Sequence, residues 1–380
     1  MVKSDAGPVV LLRPGLQILM EALRADGYTV VAPVMREGAI VYGEVTTLDE
    51  LPAGWTDEQD AGHYRLRRRD DEALFGFAVG PQSWKKYLHP ERLRLWRAER
   101  DADAIRIIDA RRPAPKFALL GVRSCELHAM AIHDTVFLSP AHADGDYAIR
   151  REHALIIAVN CIEAGGTCFC TSMDTGPEAR AGYDLVLTEI IDDGAHRFLA
   201  AAGSAQGERL LEGLPQAAAG EEDLAAASAG IDHARRSMGR SLDTVGIKSL
   251  LQDNPEHPRW DAVAERCLSC ANCTLVCPTC FCTTIEDTSD LGGDHAERWR
   301  HWDSCFTLDF SYLHGGSVRQ TTKARYRQWL THKLAHWVDQ FGTSGCVGCG
   351  RCVTWCPVGI DLTEEVAAMQ ASTDVGEVAP

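Results

Sequence analysis

Residues 267–278 read Cys-Leu-Ser-Cys-Ala-Asn-Cys-Thr-Leu-Val-Cys-Pro, and residues 346–357 read Cys-Val-Gly-Cys-Gly-Arg-Cys-Val-Thr-Trp-Cys-Pro. Both obey the pattern CxxCxxCxxxCP. Three thiolates spaced by two residues wrap three corners of an iron–sulfur cubane, and the fourth, turned away by its proline, ligates the cluster of the other copy. The spacing therefore predicts one [4Fe–4S] cluster on Cys267, Cys270, Cys273 and Cys356, and a second on Cys346, Cys349, Cys352 and Cys277. Structural zinc would need only four of these cysteines, as two CxxC knuckles, and leaves the third cysteine of each copy without a purpose. Cys273, Cys277 and Cys280 also spell CxxxCxxC, the pattern of a radical enzyme, but Gly359 stands where the second copy would need its third cysteine.

Composition fits a chain that carries electrons inside a reducing compartment. The chain has 380 residues, enough for two or three domains, and 15 cysteines whose ferredoxin-type grouping implies reduced thiols rather than disulfides. The apolar patch Val9–Leu12 is broken by Arg13 and Pro14 before a signal-peptide core could form. No apolar run approaches the roughly 20 residues of a membrane span. We expect a cytoplasmic protein with no membrane contact. A net charge of −16 disfavours nucleic-acid binding, which relies on neutralising phosphates.

Working outward from the cysteine repeats, the first 205 residues read as an α/β domain. Strands are expected at Val9–Leu12, Thr29–Met35, Ala39–Val45, Phe117–Val122, Leu155–Val159, Asp184–Glu189 and Arg197–Ala201, with Arg36-Glu37-Gly38 turning a hairpin. Leu16, Leu19, Met20 and Leu23 mark one face of a helix ending near Gly27. Residues 206–255 are rich in Ala, Gly and Glu and read as a helical linker. Residues 256–380 read as an α-helical dicluster ferredoxin domain. Between its cysteine copies, Tyr326, Leu330, Leu334, Trp337 and Phe341 recur at helical spacing. That helix also bears Arg319, Lys323, Arg325, Arg327 and Lys333, a run that signals a solvated face, a partner surface, or cations that raise the potentials of nearby clusters.

Seven cysteines remain. Cys125 opens a helix after the strand ending at Val122, and Cys161 lies just past the strand ending at Val159; ligands of α/β sheets gather at such strand ends. Cys168 and Cys170 flank Phe169 in a loop after Gly165-Gly166. These four cysteines suggest a third [4Fe–4S] cluster, against the alternatives of packed thiols or a zinc ion. Cys280, Cys282 and Cys305 lack a fourth cysteine; His301 or His314 would have to complete a site, and we read the three as thiols packed around the clusters. His128 and His133 read as structural. No GxGxxG and no GxxxxGK[ST] occurs, so nucleotide and flavin chemistry falls to another subunit.

With both cluster motifs, Cys168-Phe169-Cys170-Thr171-Ser172-Met173-Asp174-Thr175-Gly176-Pro177, Gly121-Val122-Arg123-Ser124-Cys125 and Trp302-Asp303-Ser304-Cys305, the chain resembles the iron–sulfur β subunit of soluble NAD(P)-linked [NiFe] hydrogenases, or sulfhydrogenases, and the related iron–sulfur subunit of anaerobic sulfite reductase. The resemblance spans roughly residues 75–362. It implies two ferredoxin clusters on the eight repeat cysteines and a cytoplasmic complex with a flavin subunit that handles NAD(P)H. The catalytic partner would be hydrogenase small and large subunits or a sulfite reductase subunit, with FAD and NAD(P) bound on the partners. One departure is that the family often has Pro-Cys-Asp where this chain has Ser124, Cys125 and Glu126, which leaves open the role of the acidic neighbour.

Three functions follow from these residues. The first is an electron-transfer subunit without catalysis of its own, the second a subunit reducing sulfur, polysulfide or a disulfide at an open cluster, and the third a redox sensor.

Overall fold

Runs of consecutive apolar residues build the middle of an eight-stranded sheet. The computed structural model describes residues 7–374 apart from 79, 102–103, 110–113 and 193–194. In chain order the strands of the first part are β1 (Val9–Leu12), β2 (Thr29–Arg36), β3 (Ala39–Glu44), β4 (Trp55–Asp60), β5 (His63–Arg68), β6 (Arg92–Asp101), β7 (Ala104–Asp109), β8 (Phe117–Val122), β9 (Leu155–Val159), β10 (Leu185–Asp192), β11 (Ala195–Ala202) and β12 (Ala217–Ala218). The main sheet runs β12-β1-β11-β10-β9-β8-β2-β3. Its centre, β2, β8, β9 and β10, is parallel, while β3, β11 and β1 pair antiparallel.

Parallel strands are covered on both faces, which is why β9, Leu-Ile-Ile-Ala-Val, is apolar at every position. Leu120, Ile157 and Val159 point to one face, with Leu16, Leu19, Met20 and Leu23 of the helix Arg13–Ala25. Leu119, Val122, Ile156 and Ala158 point to the other, with Leu127 and Met130 of the helix Ser124–Phe137. The expected β2–β3 hairpin is present; Glu37 and Gly38 both have positive φ, 51° and 75°, as a tight turn between twisted strands requires.

Two hairpins, β4–β5 and β6–β7, lie where no strand was expected. The second continues into the stretch between the cysteine copies, where β13 (Thr283–Ser289) and β14 (His295–Trp302) form another hairpin and complete a four-stranded sheet β13-β14-β6-β7. After that hairpin the expected helix runs from Thr322 to Phe341, with a wider π turn at His332–His336. It buries Tyr326, Leu330, Leu334 and Trp337, and leaves Phe341 partly exposed.

The Ala-rich segment after residue 205 packs as well as connects. The helix Glu221–Arg236 lies against β10 and β11 with Ala227 and Ala234 buried, small side chains that allow close approach. Leu242, Ile247 and Leu251 enter a second core with Trp260, Tyr326 and Trp329.

Candidate iron–sulfur sites

Both cysteine copies adopt one backbone path. In the first, Ser269 and Ala271 have φ of 51° and 66°; in the second, Gly348 and Gly350 occupy the same motif positions with φ of 64° and 72°. The left-handed excursion after each of the first two cysteines turns the thiols inward, and a short helix follows in each copy, Asn272–Leu275 and Arg351–Thr354. The backbone N–H of Ser269 donates to Cys267 Sγ at 3.4 Å, and that of Gly348 to Cys346 Sγ at 3.5 Å. Such N–H···S bonds favour a charged sulfur and set cluster potentials.

Cys273 faces Cys267, Cys356 and Cys270, and burial pushes its thiol well above the usual range. Cys352 faces Cys346, Cys277 and Cys349, again with burial as the main cause of an upward push. Cys267, Cys270, Cys273 and Cys356 line one cavity, which Cys352 of the second copy also lines, and Cys305 lies beside Cys273. Cys270 is exposed, so the first set reaches the surface, whereas Cys277 and Cys349 are buried. Ile360 N–H donates to Cys356 Sγ at 3.3 Å, and the buried Lys333 Nζ to Cys277 Sγ at 3.0 Å.

The remaining four of the predicted ligands also converge. β8 and β9 are parallel neighbours, so Cys125 and Cys161 leave the sheet at the same edge. Cys170 faces Cys168 and Cys161, while Cys125 faces Cys349 and Cys170. Burial pushes Cys168 up to about 12 and raises Cys125, Cys161 and Cys170 too. The loop holding Cys168 and Cys170 is stitched to the second copy: Phe169 N–H donates to the Gly348 carbonyl at 2.9 Å, and a Cβ on Gly350 would lie 2.4 Å from the Thr167 carbonyl oxygen. Cys349 therefore stands between the second and third sets.

Of the expected histidines, His301 pairs with Glu286 at 3.0 Å, and His133 packs against Phe137, Tyr147 and Phe281. Among the described residues no three His, Cys, Asp or Glu side chains converge closely enough for a single metal ion. Sets of four cysteines suit an iron–sulfur cubane, whose corners are held by thiolates.

Residues 266–360 match the 4Fe-4S dicluster domain family. Sulfhydrogenase 2 subunit beta of Pyrococcus furiosus (strain ATCC 43587 / DSM 3638 / JCM 8422 / Vc1) is 34% identical over 249 residues, covering 65% of this chain and 72% of that protein. The chain belongs to the sulfhydrogenase beta-subunit family. No solved structure matches it. Among the described residues no helix is long and apolar enough to cross a membrane.

In this sulfhydrogenase beta-type chain the acidic neighbour of Cys125 has a partner. Glu126 accepts from Arg351 Nη2 at 2.7 Å and from the Tyr42 hydroxyl at 2.7 Å, and both members of the ion pair are buried. Arg351 lies inside the second motif, between Cys349 and Cys352, and its guanidinium also donates to the Gly80 and Gln82 carbonyls. It draws the Cys349 thiol down against the upward push of burial. Spacing rules that count only cysteines miss this residue, although a charged side chain within the cluster loop was the available signal. The basic run of the long helix divides in two. Lys323 and Arg327 pair with Glu256 at the surface, while Lys333 turns inward to the sulfur of Cys277.

Proposed function

We propose that this chain is the electron-transfer subunit of a hydrogenase-type complex, relaying electrons between a flavin subunit that handles NAD(P)H and a [NiFe] hydrogenase. The observation that carries the reading is the gathering of twelve cysteines into three neighbouring groups, with Cys352 of the second lining the same cavity as the first and Cys349 of the second facing Cys125 of the third. In this assignment Cys267, Cys270, Cys273 and Cys356 hold the first [4Fe–4S] cluster, Cys346, Cys349, Cys352 and Cys277 the second, and Cys125, Cys161, Cys168 and Cys170 a third. Bound there, the clusters would supply one-electron transfer.

The chain's own residues prepare the path. Lys333 and Arg351 place positive charge against the second set, which favours the reduced, more anionic state. Trp329, Phe306 and Tyr326 wall the first set on its buried side, while Cys270 and the half-exposed Leu268 bring it to solvent, where a partner can approach. No nucleotide motif stands in the sequence, so FAD and NAD(P) belong to the partner.

Affinity purification of the chain from its own cells under anaerobic conditions tests the partner. Co-purifying nickel and flavin are the expected result. A nickel-free complex that reduces sulfite would replace the hydrogenase with the sulfite reductase partner. Within the chain, Cys349→Ala should lose one cluster and stop electron exchange between the ends of the row.

A further inference from the structure

The long helix that runs from Thr322 to Phe341 has two faces, and the sulfur sets use one of them. Tyr326 and Trp329 wall the first set; Ala324, Arg327, Gln328 and Thr331, spaced three, one and three apart, share the opposite side. There a groove of about 470 Å³ runs between the long helix, the helix Ile247–Asp253 and the Val318-Arg319 segment that leads into the long helix. His336 completes it. In a regular α-helix a residue five positions beyond Thr331 is turned about 140° away from it. The π turn His332–His336 closes its hydrogen bonds over five residues instead and brings His336 round to the same groove, a device frequent at functional sites.

The groove is rich in donors that no group of the chain accepts. Arg319 is half-buried, and its guanidinium has neither a hydrogen bond nor an ion pair among the described residues; the same holds for the Gln328 amide and the His336 ring. Thr331 is 7% exposed, and its hydroxyl also lacks a partner. Buried polar groups are ordinarily satisfied by the chain, by water or by an ion. Among the described residues no carboxylate lines the groove. The two that touch its lining are engaged elsewhere as well: Glu256 pairs with Arg327 and Lys323, each at 3.2 Å, and Asp339 with Lys248 and the Gln252 amide.

An unpaired guanidinium presents its N–H groups in a planar fork that matches phosphate oxygens, and in a chain of net charge −16 a hollow lined only by cations is a local reversal that draws an anion. Leu251, Pro255 and Val318 give the groove an apolar wall as well, against which a small organic group fits. We infer that this groove binds the phosphate group of a small anion, held by Arg319, Arg327 and His336. The site lies across the helix from the first set and takes no part in the relay, so it stands or falls independently of the electron-transfer reading.

The test is titration calorimetry of the anaerobically purified full-length protein with inorganic phosphate and with AMP, against chloride of matched ionic strength, repeated on Arg319→Gln and His336→Gln. Iron per chain and far-UV circular dichroism check that each variant is folded. Saturable binding of both anions at one mutually competitive site is expected, weakened about tenfold or more by Arg319→Gln. Tighter binding of AMP than of phosphate assigns the groove to a phosphate ester, and equal affinity assigns it to free phosphate; either upholds the site. Absence of saturable binding of both anions overturns the inference, as does binding that neither substitution weakens. A chain that binds neither anion, yet loses a co-purifying subunit on Arg319→Gln, would give the groove to an acidic segment of a partner protein and overturn it too.

Discussion

Arg351 and Glu126 form an ion pair in which neither side chain is more than 1% exposed, and its cost and use are both electrostatic. Removing one partner leaves an uncompensated buried charge, which costs about 3–5 kcal/mol. Glu126→Gln should therefore lower stability by about that amount in anaerobic urea unfolding, and adding Arg351→Met should recover much of it. Lys333→Met acts on potential instead. Iron content should hold, but the cluster we assign to Cys277 should become harder to reduce, seen as a more negative midpoint in an EPR-monitored redox titration; an unmoved midpoint would deny Lys333 its role. His89 and His133 supply a pH dependence. Burial first, then Arg300 and Lys85, holds His89 at about 3, and burial first, then Lys85 and His89, holds His133 at about 3. Because these folded values lie below the unfolded value near 6.5, the unfolded chain takes up the protons first as pH falls. Stability is complete above about 6.5 and is lost toward 3, at about 1.4 kcal/mol per pH unit for each histidine. His89→Phe, which keeps the ring contact with Phe137, should flatten the fall in urea midpoint between pH 7 and 5.

At the scale of elements, the strands of the main sheet were legible because their apolar residues run together, and the long helix because its apolar residues recur at three and four. The sheet β13-β14-β6-β7 was not. Its strands are held by cations over aromatic rings and by ion pairs across strands: Arg92 sits 4.1 Å over Trp299, Arg298 5.2 Å over Trp96, and Arg94 pairs with Glu297 at 2.7 Å. The alternation Arg92-Leu93-Arg94-Leu95 does carry a strand period, but in a strand with no fully buried residue and so without the apolar run that marks the main sheet. Cysteine spacing indicated which thiols would be neighbours, since loop length limits what a CxxC turn can reach. It could not indicate the cations, because Lys85 reaches the Cys277 and Cys280 carbonyls from a distant part of the chain and Arg351 meets Cys349 through the direction of its side chain. The two copies also predict opposite glycine effects. Gly350→Ala puts a Cβ 2.4 Å from the Thr167 carbonyl at a φ of 72°, and should reduce both stability and iron in the second set. Ala271→Gly relieves a left-handed alanine, and should stabilise by up to about 1 kcal/mol in the same unfolding assay.

For the whole molecule, the N-terminal sheet acts as a platform that brings Cys125 and Cys161 to one edge, while the second cysteine copy docks against the loop carrying Cys168 and Cys170 through Phe169, Gly348 and Gly350. The row of sulfur sets therefore spans the chain from the exposed Cys270 to the strand ends of the α/β part. How far the proposed relay reaches depends on the third set being filled, since otherwise the row stops at Cys349. The most direct measurement is iron and acid-labile sulfide per chain in the anaerobic protein and in Cys168→Ala, with EPR during reductive titration of both. Cys168→Ala should lose about four irons and one EPR component while the ferredoxin pair keeps its signals. Equal iron in a folded Cys168→Ala protein would contradict a filled third set and leave the α/β part a scaffold beside the relay.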